Sequence, residues 1–263
     1  MGETTTIVTG SKGGVGTTTV ALNLGVQLAM QTRKRVVLLD LAQPFGQISL
    51  MLDLNPRFTI LDALERIERL DELLLATLAA RHKTGIEILA GPRHAPVKPE
   101  QRQSVTIQAL KRLVEIAGRA YDFVVVDMGV VNAAECAPVL AGAGTTLLVA
   151  EPSVLALGMI ERHMAAAAPA GLDCERIHLV INRWQPSDNE ALAAFQQKHG
   201  RSVLMRLPND YRQVTEAVTL GMPLAESADN SLLGRYRDLA AWLSGSVAGG
   251  LGRRAGTGVP VAQ

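Results

Sequence analysis

Residues 5–24 read TTIVTGSKGGVGTTTVALNL: a β-branched run, a glycine-rich turn and a helix-compatible run, joined end to end. No other feature constrains the fold as tightly. A glycine turn between a strand and a helix lets successive backbone N–H groups, and the open N–H groups of the first helical turn, converge on one anion. Phosphate-binding loops of the pattern G-x-x-x-x-G-K-[ST] add a lysine for the β- and γ-phosphates and a hydroxyl for Mg²⁺. In this chain Gly16 is followed by Thr17, where that lysine belongs, and then by Thr18, where the hydroxyl belongs. A lysine stands five positions earlier, at Lys12. The loop of Ser11, Lys12, Gly13, Gly14, Val15, Gly16, Thr17, Thr18 and Thr19 is the candidate nucleotide site.

Around this loop, short apolar runs alternate with longer helical patterns. The runs at 5–10, 35–40, 85–91, 122–128, 145–151, 176–182 and 202–207 are rich in Val, Ile and Leu and too short for helices. Between them, stretches such as SVTIQALKRLVEIAG place Val105, Leu110, Leu113 and Val114 on one helical face. Strand–helix alternation predicts an α/β fold: a three-layer sandwich with a mostly parallel, twisted sheet and helices on both faces. Hydrophobic residues make up 48% of the chain and aromatic residues only 3%, an aliphatic core that suits strands buried on both sides. One domain is expected over residues 1–247, and the Gly-rich, aperiodic 248–263 reads as a flexible tail. Ligands of such sheets bind beyond the carboxyl ends of the strands. Asp40 and Asp127 end two of the apolar runs, and with Thr18 they form the candidate Mg²⁺ site, the acids acting mostly through water.

Other functions find less support. The net charge of +1 gives no bulk preference for nucleic acid. Arg201, Arg206, Arg212, Arg235 and Arg237 read as solvated surface residues. Cys136 and Cys174 match no metal or disulfide pattern, and the five histidines form no metal motif. No apolar run spans a bilayer and no leader pattern precedes the first strand, so the chain reads as cytoplasmic.

The segment SKGGVGTTTVALNL resembles the deviant phosphate-binding loop (K-G-G-x-G-K-[ST]) of the ParA/MinD superfamily of dimerising ATPases. VVLLDLAQPFGQISLMLDL resembles the segment that starts with that superfamily's second strand, and YDFVVVDMG its Walker B strand. LVINRW resembles the strand whose asparagine reads the adenine edge. LPNDYRQVTEAVTLGMPL resembles the loop and helix that follow. The resemblance runs from about Thr5 to Ala225. It implies ATP or ADP with Mg²⁺, and a homodimer formed with ATP in which Lys12 reaches the partner's nucleotide. It gives catalytic roles to Lys12, Asp40 and Asp127, and places Asn182, Arg183, Leu207, Pro208 and Asn209 about the base.

Within the superfamily the chain is most similar to the CpaE/TadZ branch, which positions type IV (Tad) pili and also carries GGVGTTT. That similarity implies pilus or secretion-system partners, a place at the cell pole on the inner membrane face, and membrane contact only through partners. The segments 43–47 and 129–134 are the expected partner surface. Two departures bear on chemistry. With the first strand starting at about Thr5, the receiver-like domain usual before the ATPase in that branch is expected to be missing, and Ala42 stands where the superfamily's second acid activates water. With Thr17 and Ala42 together, the expectation is an ATP-dependent switch or scaffold with weak or no hydrolysis. The alternative is a ParA/MinD-type partition or positioning ATPase that acts on DNA or membrane.

Overall fold

The computed structural model describes residues 4–42, 45–93, 105–226 and 230–248. Among these, eight strands form one sheet: β1 (Thr5–Gly10), β2 (Val36–Asp40), β3 (Ala80–Arg81), β4 (Glu87–Leu89), β5 (Phe123–Asp127), β6 (Thr145–Ala150), β7 (Ile177–Trp184) and β8 (Val203–Pro208). Their spatial order is β3-β4-β2-β5-β1-β6-β7-β8. Every pairing is parallel except β3 with β4, so the expected α/β sandwich is the fold observed. All seven apolar runs became strands. The two-residue β3 is additional, and is made by a tight turn in which the Gly85 N–H donates to His82 O.

The sheet's two faces come directly from strand alternation. Val8, Leu38, Val125, Leu147 and Val149 point to one side, where they pack on α1 (Thr17–Thr32) and on the last described helix, which covers Leu232 through Leu243 of the core. Ile7, Val37, Leu39, Val124 and Val126 point to the other. There they meet α3 (Ile60–Glu65), α4 (Glu72–Leu78), α5 (Ile107–Ala120) and α6 (Ala133–Leu140), numbered after the short α2 (Ile48–Met51). Leu148, Ala150, Leu179 and Ile181 form a third cluster with α7 (Val154–Ala167) and α8 (Asn189–His199). α9 (Tyr211–Thr219) and α10 (Ser231–Ala248) complete the chain. Burying each such aliphatic side chain contributes about 1.5–3 kcal/mol, and the central β1 buries Thr5, Thr6 and Thr9 along with Ile7 and Val8.

The helix read from SVTIQALKRLVEIAG is α5. Thr106 caps it by accepting from the Ala109 N–H, and Leu113 and Val114 are buried while Leu110 and Val105 pack at the margin. The Gly-rich segment expected as a tail lies, from Gly249 onward, outside the described residues, as do 43–44 of the expected partner surface and 94–104 after β4. No described helix is long and apolar enough to cross a membrane.

Candidate functional site

β1 is central in the sheet, between β5 and β6, so the loop leaving its carboxyl end emerges among the ends of its neighbours. Gly16 makes the turn into α1. Its φ of 91° lies in the left-handed region, and a Cβ there would stand 2.4 Å from Asn182 Nδ2, so glycine is required twice over. From Lys12 through Thr19 no backbone N–H donates to an acceptor among the described residues; the first helical bond is Val20 N–H to Gly16 O. A row of unpaired donors at a helix N-terminus is an anion site.

The two acids lie side by side. Register pairs Asp40 of β2 with Asp127 of β5 at their carboxyl ends, and both are fully buried. Asp40 Oδ2 accepts from the Ile48 N–H at 3.1 Å, and Asp127 Oδ1 from the Gly129 N–H at 3.0 Å. Asp40 Oδ1 and Asp127 Oδ2 have no hydrogen-bond partner among the described residues. Burial, then the neighbouring Asp127, lift the Asp40 pKa to about 7 against the N–H groups of Ile48, Gly91 and Ala42. Burial also raises Asp127, with the Thr18 hydroxyl and the Gly129 N–H pulling the other way. Two unpartnered carboxylate oxygens beside a threonine hydroxyl are hard donors of the kind Mg²⁺ takes. No group of three or more His, Cys, Asp or Glu gathers among the described residues. The donor set thus fits a Mg²⁺ ion held by Thr18 and phosphate, with Asp40 and Asp127 behind it.

Two glycines roof this site. A Cβ on Gly46 would meet Gly91 Cα at 2.5 Å and Asp40 Oδ2 at 2.7 Å, so the chain after β2 can cross over Asp40 only as glycine. Ala42 is buried and faces Gly129, whose Cβ would stand 3.5 Å from that of Ala42. No acid reaches from position 42. Thr17 is buried too, its Oγ1 filling the space where a Cβ on Gly10 would lie, 2.4 Å away. It packs against the strand end and brings no cation to the loop.

Lys12 does bring one, but it is occupied. Its Nζ lies 2.7 Å from Oε1 of Glu151, the residue after β6, and Arg183 NH1 lies 3.4 Å from the same carboxylate's Oε2. The bond from Lys12, above all, holds Glu151 below the usual carboxylate range. Asn182, expected at the base, spends its Nδ2–H on the Val15 carbonyl at 2.8 Å and so braces the loop. Arg183, with φ 57°, turns its neighbours at the end of β7, where the Asn209 N–H donates to Trp184 O and brings Leu207, Pro208 and Asn209 alongside. Ser11 is fully buried, its Oγ without a partner among the described residues. The site residues read from sequence thus fall at one end of the sheet. Reasoning from sequence missed Glu151, although it ends an apolar run as Asp40 and Asp127 do, and it missed His163.

The expected surface cations are partly engaged. Arg201 donates to Cys174 O, and Arg206 donates to Asn189 while lying over the Trp184 ring.

The sequence profile described as "CobQ/CobB/MinD/ParA nucleotide binding domain" matches residues 6–224. A septum site-determining protein MinD of Thermotoga maritima is 24% identical over 245 residues, covering 91% of this chain and 87% of its own length. A ParA family ATPase from Chlorobium tepidum superposes with a TM-score of 0.82 at 21% identity, over 91% of this chain and 99% of its own. MinD from Pyrococcus horikoshii, solved with Mg-ADP, gives 0.71 at 22% identity, over 91% and 94% of the two chains.

Proposed function

The chain belongs to the CobQ/CobB/MinD/ParA nucleotide-binding family, and from that premise we propose that it is an ATP-gated switch that dimerises and positions another cellular component. The carrying observation is the row of unpaired N–H groups from Lys12 to Thr19 beside the buried pair Asp40 and Asp127. The N–H groups bind the diphosphate, and Thr18 would hold Mg²⁺ against it, with Asp40 and Asp127 behind, mostly through water. The ion neutralises phosphate charge. Lys12 leaves Glu151 for the phosphates bound by a second copy, and in doing so supplies the cation that Thr17 does not. Apolar side chains exposed after β2, β5 and β6 (Leu50, Val130, Val154 and Leu155) give that second copy a surface to cover. Hydrolysis is slow, because Ala42 neither orients nor deprotonates water.

The family and the named relatives favour a septum-positioning or partition role over pilus positioning. The CpaE/TadZ reading remains as the second, favoured by Thr17 and Ala42, which weaken turnover more than binding. In either case the segments 45–47 and 129–134 follow the two acids, so a partner docked there feels the nucleotide.

Sedimentation with Mg·ATP and Mg·ADP tests the switch. ATP is expected to convert monomer to dimer, and Lys12→Ala to remain monomeric with its fold intact. A dimer indifferent to both ATP and Lys12 refutes the proposal. A fluorescent fusion then separates the readings: polar foci support pilus positioning, and nucleoid or septal patterns support partition or septum placement.

A further inference from the structure

Ala156, Ile160 and Ala167 of α7 are buried, and His163 falls on the same stripe at helical spacing. Its ring is half-buried, and Nε2 lies 3.1 Å from the carbonyl oxygen of Ser11, across 152 residues of sequence. A carbonyl oxygen only accepts, so Nε2 carries the proton and donates it. The switch described above makes no use of this contact.

The Ser11–Lys12 peptide is planar and trans, so its N–H points opposite to its C=O. Tying the Ser11 carbonyl to α7 therefore aims the Lys12 N–H away from α7. The Lys12 N–H belongs to the row with no acceptor among the described residues. The far end of the loop has the same construction: Asn182 holds the Val15 carbonyl and so turns the Gly16 N–H away from β7. Between the two pins the loop has little packing of its own. A Cβ on Gly13 or Gly14 would meet nothing within 4 Å, and Gly14 has φ 82°.

We propose that His163 is a positioning residue of the phosphate-binding loop, its imidazole N–H fixing the Ser11–Lys12 peptide so that the Lys12 N–H is presented to phosphate oxygens before ligand arrives. The proposal rests on the nucleotide-binding reading. A loop without the lysine at position 17 depends more heavily on its N–H groups, and glycine-rich backbone loses the most freedom when it is ordered. A pin that orders it in advance lowers that loss at binding.

Calorimetric titration of the full chain with Mg·ADP tests this. His163→Ala is expected to weaken binding roughly 3- to 10-fold, the effect of one hydrogen bond. His163→Gln, whose Nε2–H can donate from nearly the same place, is expected to restore most of it. A second readout needs no ligand. The backbone ¹⁵N resonance of Lys12, which senses hydrogen bonding at the Ser11 carbonyl, is expected to move in His163→Ala and return in His163→Gln. Wild-type affinity and an unmoved Lys12 resonance in His163→Ala overturn the proposal. Equal weakening in both variants, with both melting temperatures lowered, marks a merely structural histidine and overturns it too. Should the wild-type chain itself bind no Mg·ADP, the nucleotide reading fails and takes the proposal with it, a blank that the variants alone cannot produce.

Discussion

Replacing Asp40 with asparagine isolates the electrostatic strain built into the site. Asp40 is fully buried beside Asp127, and its pKa rises from 3.8 to about 7. The folded chain therefore keeps a proton that the unfolded chain has already released. Stability falls as pH rises from about 4 to about 7, and levels off above that. A rise from 3.8 to about 7, at about 1.4 kcal/mol for each tenfold change in proton affinity, puts the cost of holding Asp40 ionised at about 4 kcal/mol. Asparagine keeps an acceptor for the Ile48 N–H, bears no charge, and removes this cost at every pH. Without Mg²⁺, Asp40→Asn is expected to gain on the wild type progressively from about pH 4 to about pH 7, reaching up to about 4 kcal/mol above that. Mg·ADP reverses the order, because it stabilises whichever folded form binds it better, and that is the chain with both carboxylates. Urea denaturation across the pH range, with and without Mg·ADP, reads both effects. A difference between the two proteins that is the same at about pH 5 and about pH 8 refutes the reasoning, since Asp40 then does not titrate in that window.

Gly16→Ala combines a left-handed backbone with a Cβ 2.4 Å from Asn182 Nδ2, so we expect a loss of about 1–3 kcal/mol in urea denaturation. Asn182 is displaced from Val15 in that variant, and Mg·ADP binding weakens with it. Thr17→Lys restores the cation at its usual place and is expected to raise affinity for Mg·ATP over Mg·ADP by about tenfold, the scale of one charge-assisted contact. An unchanged ATP-to-ADP ratio in a well-folded Thr17→Lys protein counts against the assignment of position 17.

The sheet was legible because its strands are short runs dominated by Val, Ile and Leu, with threonine the main polar residue of the central β1 and β6. Ala80–Arg81 was not legible, since two residues carry no period and pair only because the turn closing at Gly85 sets them against β4. The loop, Thr18, Asp40 and Asp127 could be read because strand ends and a glycine turn fix their place locally. The contacts of His163 with Ser11 and of Asn182 with Val15 could not, as they join residues 152 and 167 positions apart. A lone histidine within a helical pattern gives no hint of what it faces until the helix is packed.

The margins of the sheet limit how copies of the chain can meet. On one side β3 is two residues long, antiparallel, and carries Arg81; on the other, β8 slips register against β7 and ends in Pro208, which has no N–H to offer. Open main-chain edges invite strand addition, and short, charged or proline-bearing edges resist it. Among the described residues, self-association by continuing the sheet from molecule to molecule at these edges is therefore disfavoured. Contact between copies is left to loops and side chains, where a self-complementary patch closes after two subunits.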